Sequence, residues 1–157
     1  MSEYTSISGN ALLEGTEVEF DLFLRDDAGE SSNYVLYCRG GEDLSPVRRE
    51  ELLSKHADRL CISTEDVDKY IEYQEKNLKK IINDENRSSR QKSGIVYQVA
   101  TKVVADLLEN PKSGKNMERI SEWVTNMVGH IAQDDNSFSS LFDVSSNDYQ
   151  IYTHSVN

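Results

Sequence analysis

The first stretch with a clear period is "TEVEFDLFLRD" (Thr16–Asp26), in which Val18, Phe20, Leu22 and Leu24 alternate with polar residues. Period two places one set of side chains on one face, so the stretch is predicted as a half-buried strand. "NYVLYCR" (Asn33–Arg39), rich in Tyr and Val, predicts a second strand, and the acidic, Gly-containing "DDAGESS" before it predicts a loose hairpin loop. Ser45-Pro46 has the form of an N-cap followed by proline at the first helical position, opening a short helix to about His56. "DRLCIS" (Asp58–Ser63) predicts a third strand. Ser63, with Asp66 three residues on, starts the next helix, expected over Glu65–Asn83.

That helix carries Val67, Ile71, Gln74, Leu78 and Ile81 at alternating steps of four and three, a coiled-coil-like seam. The polar "NDENRSSRQKSG" (Asn83–Gly94) then reads as a linker or a frayed helix joint. Beyond it Ile95, Val99, Val103 and Leu107 stack at i+4 beside Val96, Ala100, Val104 and Leu108. This gives a wide apolar face on a helix that stops at Asn110-Pro111. "PKSGKN" is the turn, with Asn116 as cap, and Met117, Ile120, Val124, Met127 and Ile131 form a second three-four seam. Two such helices joined by a short turn predict an antiparallel hairpin. "DDNSFSSLF" breaks the pattern with a short helical turn, and Ser146 or Asn147 is expected to cap a final segment.

The fold class is therefore α+β. Residues 1–83 form a small β-β-α-β-α unit with a short antiparallel sheet, 84–94 a linker or helix joint, 95–144 a helical hairpin, and 145–157 a closing helical segment. The two seams suit either the chain's own core or a dimer contact. Pairing of copies through helices is the favoured expectation, because few elements are at hand to bury two seams and the Ile95–Leu108 face.

The chain of 157 residues is 37% hydrophobic and 29% charged, a composition that supports a folded core. Its formal charge of −11 argues against nucleic acid or an anionic membrane surface as main partner. The charge is uneven: residues 1–43 carry ten acids and two bases, and residues 117–157 carry six acids and one base. Cys38 and Cys61 have no CxxC spacing and read as small buried residues in strands, which could lie on neighbouring strands, in a reducing compartment. No apolar run is long enough for a membrane span, so a cytoplasmic chain without membrane insertion is expected.

Candidate chemistry is sparse. His56, His130 and His154 are the only histidines, and no two sit at a ligand-like spacing. His56 reads as a helix C-terminal residue and His130 as lying on a helix flank. Arg87 and Arg90 in "RSSR" are the best anion-binding candidates, since spaced guanidiniums suit a phosphate, set against an ordinary solvated helix joint. Trp123, Met117 and Met127 fall at helical spacing and read as core or interface packing.

The closing "DYQIYTHSVN" resembles the opening of HD-GYP domains, whose first helix runs along D-Y-x-x-x-H-S-x-N. Asp148, Tyr149, Tyr152, His154, Ser155, Val156 and Asn157 carry the likeness: His154, Ser155 and Asn157 match H-S-x-N as they stand, and Asp148-Tyr149 precede His154 with one residue more than the pattern has. "FDLFLRD", "YVLYCRGGEDL" and "LCISTEDVDKYIEYQEKNL" are also similar to a module found ahead of such cores. The resemblance implies a parent enzyme that hydrolyses cyclic di-GMP at a cluster of divalent metal ions, iron or manganese, with His154 as the first metal ligand. The remaining ligands would come from a later His-Asp pair, further histidines and a GYP loop, none of which is in this chain. The chain is thus expected to be the N-terminal sensory or dimerising region of a longer protein, holding no cofactor and not catalytic by itself. A free-standing interaction module is the alternative. "GGEDL" (Gly40–Leu44) resembles the signature of enzymes that make the same messenger, but it lies too early for their nucleotide-binding elements, so a glycine turn is expected there.

Overall fold

The computed structural model describes residues 3–7, 9, 12, 13, 16–26, 33–133 and 135–156; within these, the side chains of residues 57 and 147–156 are outside the described set. The architecture is α+β, as the sequence predicts, and the chain divides into two compact units, 1–73 and 74–157. Residues 27–32, expected as a hairpin loop, lie outside the described residues.

Unit one holds an antiparallel sheet of β1 (Tyr4–Ser6), β2 (Leu22–Asp26), β3 (Asn33–Cys38) and β4 (Leu60–Ser63), in the order β1-β4-β2-β3. Tyr4 pairs with Ser63, Leu24 with Leu60, and Arg25 with Tyr34. Its core is formed by Leu12, Val18, Phe20, Leu22, Leu44, Leu52, Leu60 and Ile62. The rings of Tyr70 and Tyr73 meet Phe20 edge-on at 5.9 and 6.1 Å, a favoured aromatic geometry. The Tyr73 hydroxyl accepts from the Leu13 amide at 2.9 Å.

The alternation from Val18 to Leu22 gives the buried face correctly, yet only Leu22–Asp26 is ladder; Glu17 makes an isolated bridge to Asp43. The segment 17–21 is engaged instead by the glycine turn. Gly41 N donates to Val18 O at 2.8 Å, and Gly40 N donates to the Asp21 carboxylate at 2.7 Å. Gly41 has φ +90°, which other side chains adopt only under strain, and a Cβ at Gly40 would crowd the Glu19 and Phe20 backbone at 3.0 Å. "GGEDL" is thereby accounted for as a turn.

The cysteines are buried strand residues, as the sequence predicts, and β2 keeps them apart. Cys38 on β3 pairs with Leu22 and Cys61 on β4 pairs with Phe23, so a whole strand stands between them. Two inter-strand spacings amount to about 10 Å, beyond disulfide reach. Both are buried free thiols.

Helix α1 (Pro46–Lys55) starts as predicted: Ser45 Oγ accepts from Arg48 N at 3.3 Å, Pro46 takes the first turn, and His56 is the C-cap. A 3-10 turn, Thr64–Asp66, leads into α2 (Val67–Lys76). The single helix expected over Glu65–Asn83 is interrupted at Asn77 (φ −106°, ψ 12°) before α3 (Leu78–Ile82). Asparagine competes poorly in a helix interior, and the break lets Leu78, Ile81 and Ile82 all be buried.

Unit two packs α3 with α4 (Ser89–Glu109), α5 (Gly114–Ile131) and α6 (Asp135–Val156). α4 begins within the expected joint, six residues before Ile95, because Ser88 and Gln91 form a reciprocal capping box at 3.1 and 2.9 Å. Ile95, Val96, Val99 and Val103 are buried, whereas Val104 and Leu108 are exposed. α5 is capped by Ser113 rather than Asn116, whose side-chain amide instead donates to Asp106 O near the end of α4. α6 is continuous where a short turn and a new cap at Ser146 or Asn147 were expected. No Gly or Pro interrupts Asp135–Val156, and packing on α4 outweighs the weak propensity of its serines.

Candidate functional site

The polar centre of unit two is built from α4 and α5. Ser93 and His130 are fully buried, with Ser93 Oγ 2.8 Å from His130 Nε2 and 3.4 Å from the Ser137 carbonyl on α6. A hydroxyl has one proton; donated to Ser137 O, it leaves Oγ to accept from the imidazole N–H. Nearby in the chain, Lys92 Nζ donates to Gln133 Oε1 at 3.1 Å, and Gln133 Nε2 donates to Ile82 O at 2.7 Å. His130, expected on a helix flank, is therefore an interior residue. With both side chains fully buried and bonded across α4, α5 and α6, this Ser–His contact serves as a tie between helices.

A second polar node joins Arg119 on α5 to Glu75 through two bonds of 2.9 and 2.7 Å and to Asp106 on α4 at 2.9 Å. Lys102 reaches the other Asp106 oxygen at 2.9 Å. The Lys102 ammonium, followed by Arg119, holds the Asp106 carboxyl below its ordinary value against the opposing effect of burial. Arg119 is held more firmly protonated, first by its hydrogen bonds to Glu75.

An apolar groove of about 320 Å³ lies between α4, α5 and α6. Its lining is Tyr97 and Ala100 from α4, Trp123 from α5, and Phe138, Leu141, Phe142 and Ser145 from α6. Trp123 is fixed by its indole N–H, which donates to Val96 O at 3.0 Å. Phe138 and Phe142 are 63% and 66% exposed. The sequence places these residues at helical spacing, but periodicity does not reveal that α5 and α6 both lean on α4 and touch each other less.

His154 lies on the helical backbone of α6; its side chain, with those of Asp148, Tyr149, Tyr152, Ser155 and Val156, is outside the described residues, as is Asn157 altogether. Among the described residues no group of three or more His, Cys, Asp and Glu side chains could hold a metal ion. Arg87 is buried and paired with Asp84, while Arg90 is exposed in the first turn of α4. Of the seam residues, Leu78 and Ile81 are buried, Val67, Ile71, Ile120, Met127 and Ile131 half-buried, and Met117 and Val124 exposed. No described helix is long and apolar enough to cross a membrane.

No family model matches the chain, and no curated protein matches it. Among solved structures it is similar to a HDG"Y"P protein from Bdellovibrio bacteriovorus, at 18% identity and a TM-score of 0.45, over 90% of this chain. The chain spans 45% of that protein's length. A likeness at this level assigns no role to any residue here.

Proposed function

We propose that this chain is the regulatory region of an HD-GYP-type cyclic di-GMP phosphodiesterase, lying N-terminal to the catalytic core and contributing His154 as its first metal ligand. The observation that carries the reading is the string "DYQIYTHSVN", in which His154, Ser155 and Asn157 match the H-S-x-N end of the opening pattern of such cores and Asp148-Tyr149 precede them one residue further away. Continuous helical backbone through Val156 supports it, since the pattern belongs to a helix. The metal cluster would activate a water and neutralise the phosphodiester. In this reading the metal chemistry belongs to the core that His154 opens, and the described side chains belong to the regulatory region before it.

In this reading copies also pair through helices. Support comes from α5, where Met117, Val124 and Val128 are exposed at the helical steps of one stripe. The test is hydrolysis of cyclic di-GMP by the full gene product, compared with its His154→Ala variant. Hydrolysis by the parent protein, lost together with part of its bound metal in the variant, is the expected outcome. Equal hydrolysis and equal metal content in both would remove His154 from the site.

A further inference from the structure

We infer that the groove between α4, α5 and α6 is a docking site for a basic amphipathic helix of a partner protein. The inference stands on unit two alone and does not depend on the phosphodiesterase reading.

The shape argues for a helix. Phe138 and Phe142 line the groove from α6 one helical turn apart and are two-thirds exposed, which makes the site an open trough. Small-molecule sites instead enclose about 70–90% of their ligand and present a few free polar groups. Here the indole N–H of Trp123 is already given to Val96 O. On α4 the lining residues Tyr97 and Ala100 continue at helical steps to Val104 and Leu108, both exposed and apolar. At 1.5 Å per residue that stripe runs for about 16 Å, three turns, the span over which an incoming helix presents anchors at i, i+3 or i+4, and i+7.

The charge argues for a basic partner. No lysine or arginine follows Arg119 in the chain, so α6 and most of the α5 wall carry no fixed positive charge. Among the described side chains of these helices the exposed carboxylates are Glu118, Glu122, Asp135 and Asp143. A second copy offering the same face would set carboxylate against carboxylate. A helix with an apolar stripe flanked by Lys or Arg satisfies both the groove and its surroundings. Met117, Val124 and Val128, offered above for pairing of copies, are not among the groove's lining residues.

Trp123 is the only tryptophan, so its emission reports occupancy of this groove directly. The full chain is titrated with a tryptophan-free peptide of about 18 residues carrying Leu and Phe at i, i+3, i+4 and i+7 and Lys elsewhere. A counterpart with Glu for Lys and a scrambled peptide serve as comparisons. The expected result is a saturable change in emission with the Lys peptide. Binding should be at least about tenfold weaker for the Glu peptide and for the Phe142→Asp chain, and unchanged for Val47→Asp in unit one. Phe138→Ser provides a second groove variant should Phe142→Asp lose its helical circular dichroism. No saturable change with the Lys peptide, equal affinity for the Lys and Glu peptides, or full affinity in folded groove variants would each overturn the proposal. Self-association of the chain that is abolished by Phe142→Asp but kept in Val124→Asp would overturn it too, in favour of a second copy in the groove.

Discussion

Ser93 Oγ and His130 Nε2 stand 2.8 Å apart with neither residue exposed to solvent. Through the Ser137 carbonyl the same hydroxyl reaches a third helix, so one side chain ties α4, α5 and α6. Replacing Ser93 by Ala leaves a buried imidazole without that acceptor, and its cost is set by desolvation more than by the bond itself. Ser93→Ala should lower stability by about 2 kcal/mol in urea unfolding, and adding His130→Leu should restore part of it. If the double variant fell by the sum of the two singles, the pair would not be coupled.

Asp106 sets a pH dependence with a definite sign. Its carboxyl is held below the ordinary value by Lys102 and then Arg119, so the folded chain binds the proton less readily than the unfolded chain. The stability this gives is fully present above the ordinary carboxylate range and is lost as pH falls through the folded value. Chemical denaturation between pH 7 and about pH 3 should show that loss, and Asp106→Asn should flatten it. An unchanged slope in the variant would assign the acid sensitivity to other carboxylates.

The two thiols should be silent in the native chain. Burial, first among the causes, raises the Cys38 thiol above its ordinary value, and both cysteines are enclosed. A thiol-specific chromogenic reagent should therefore react slowly until denaturant is added, then with both. Fast reaction of either in the folded chain would contradict its placement.

Leu78 and Val124 should separate core from contact. Leu78 is 1% exposed, so Leu78→Asp should destabilise by about 3 kcal/mol or more and unfold unit two. Val124 is 41% exposed, so Val124→Asp should keep its circular dichroism. Sedimentation of that variant then tests pairing between copies: a folded monomer from a dimeric parent is the expected result, and an unchanged dimer would move the contact away from α5.

Long, strongly periodic elements were legible in the sequence, because burial and pattern coincide in them. Val18, Phe20 and Leu22 were placed on the buried face, and α4 was stopped at Asn110-Pro111, from spacing alone. Tyr4–Ser6 escaped because three residues are too few to show a period, and its place comes from pairing with a strand nearly sixty residues away. At Asn77 the local propensity of asparagine interrupts a helix that the three-four seam reads as continuous, whereas in α6 packing on α4 carries the helix through Ser146 against local propensity. His130 reads as a flank residue in sequence; its burial depends on Ser93, placed in a polar stretch that looked like a joint. The groove was illegible for the same reason. Trp123, Phe138 and Phe142 each suit a core, and only the way α5 and α6 lean on α4 leaves them open.

The most direct test of the phosphodiesterase reading is the reading frame beyond the codon for Asn157. The account predicts a His-Asp pair some tens of residues on, then further histidines and a GYP-like loop. A stop codon, or an unrelated sequence with no such ligands, would contradict it. His154 would then be an ordinary histidine of α6, and the interaction module would be the reading that remains.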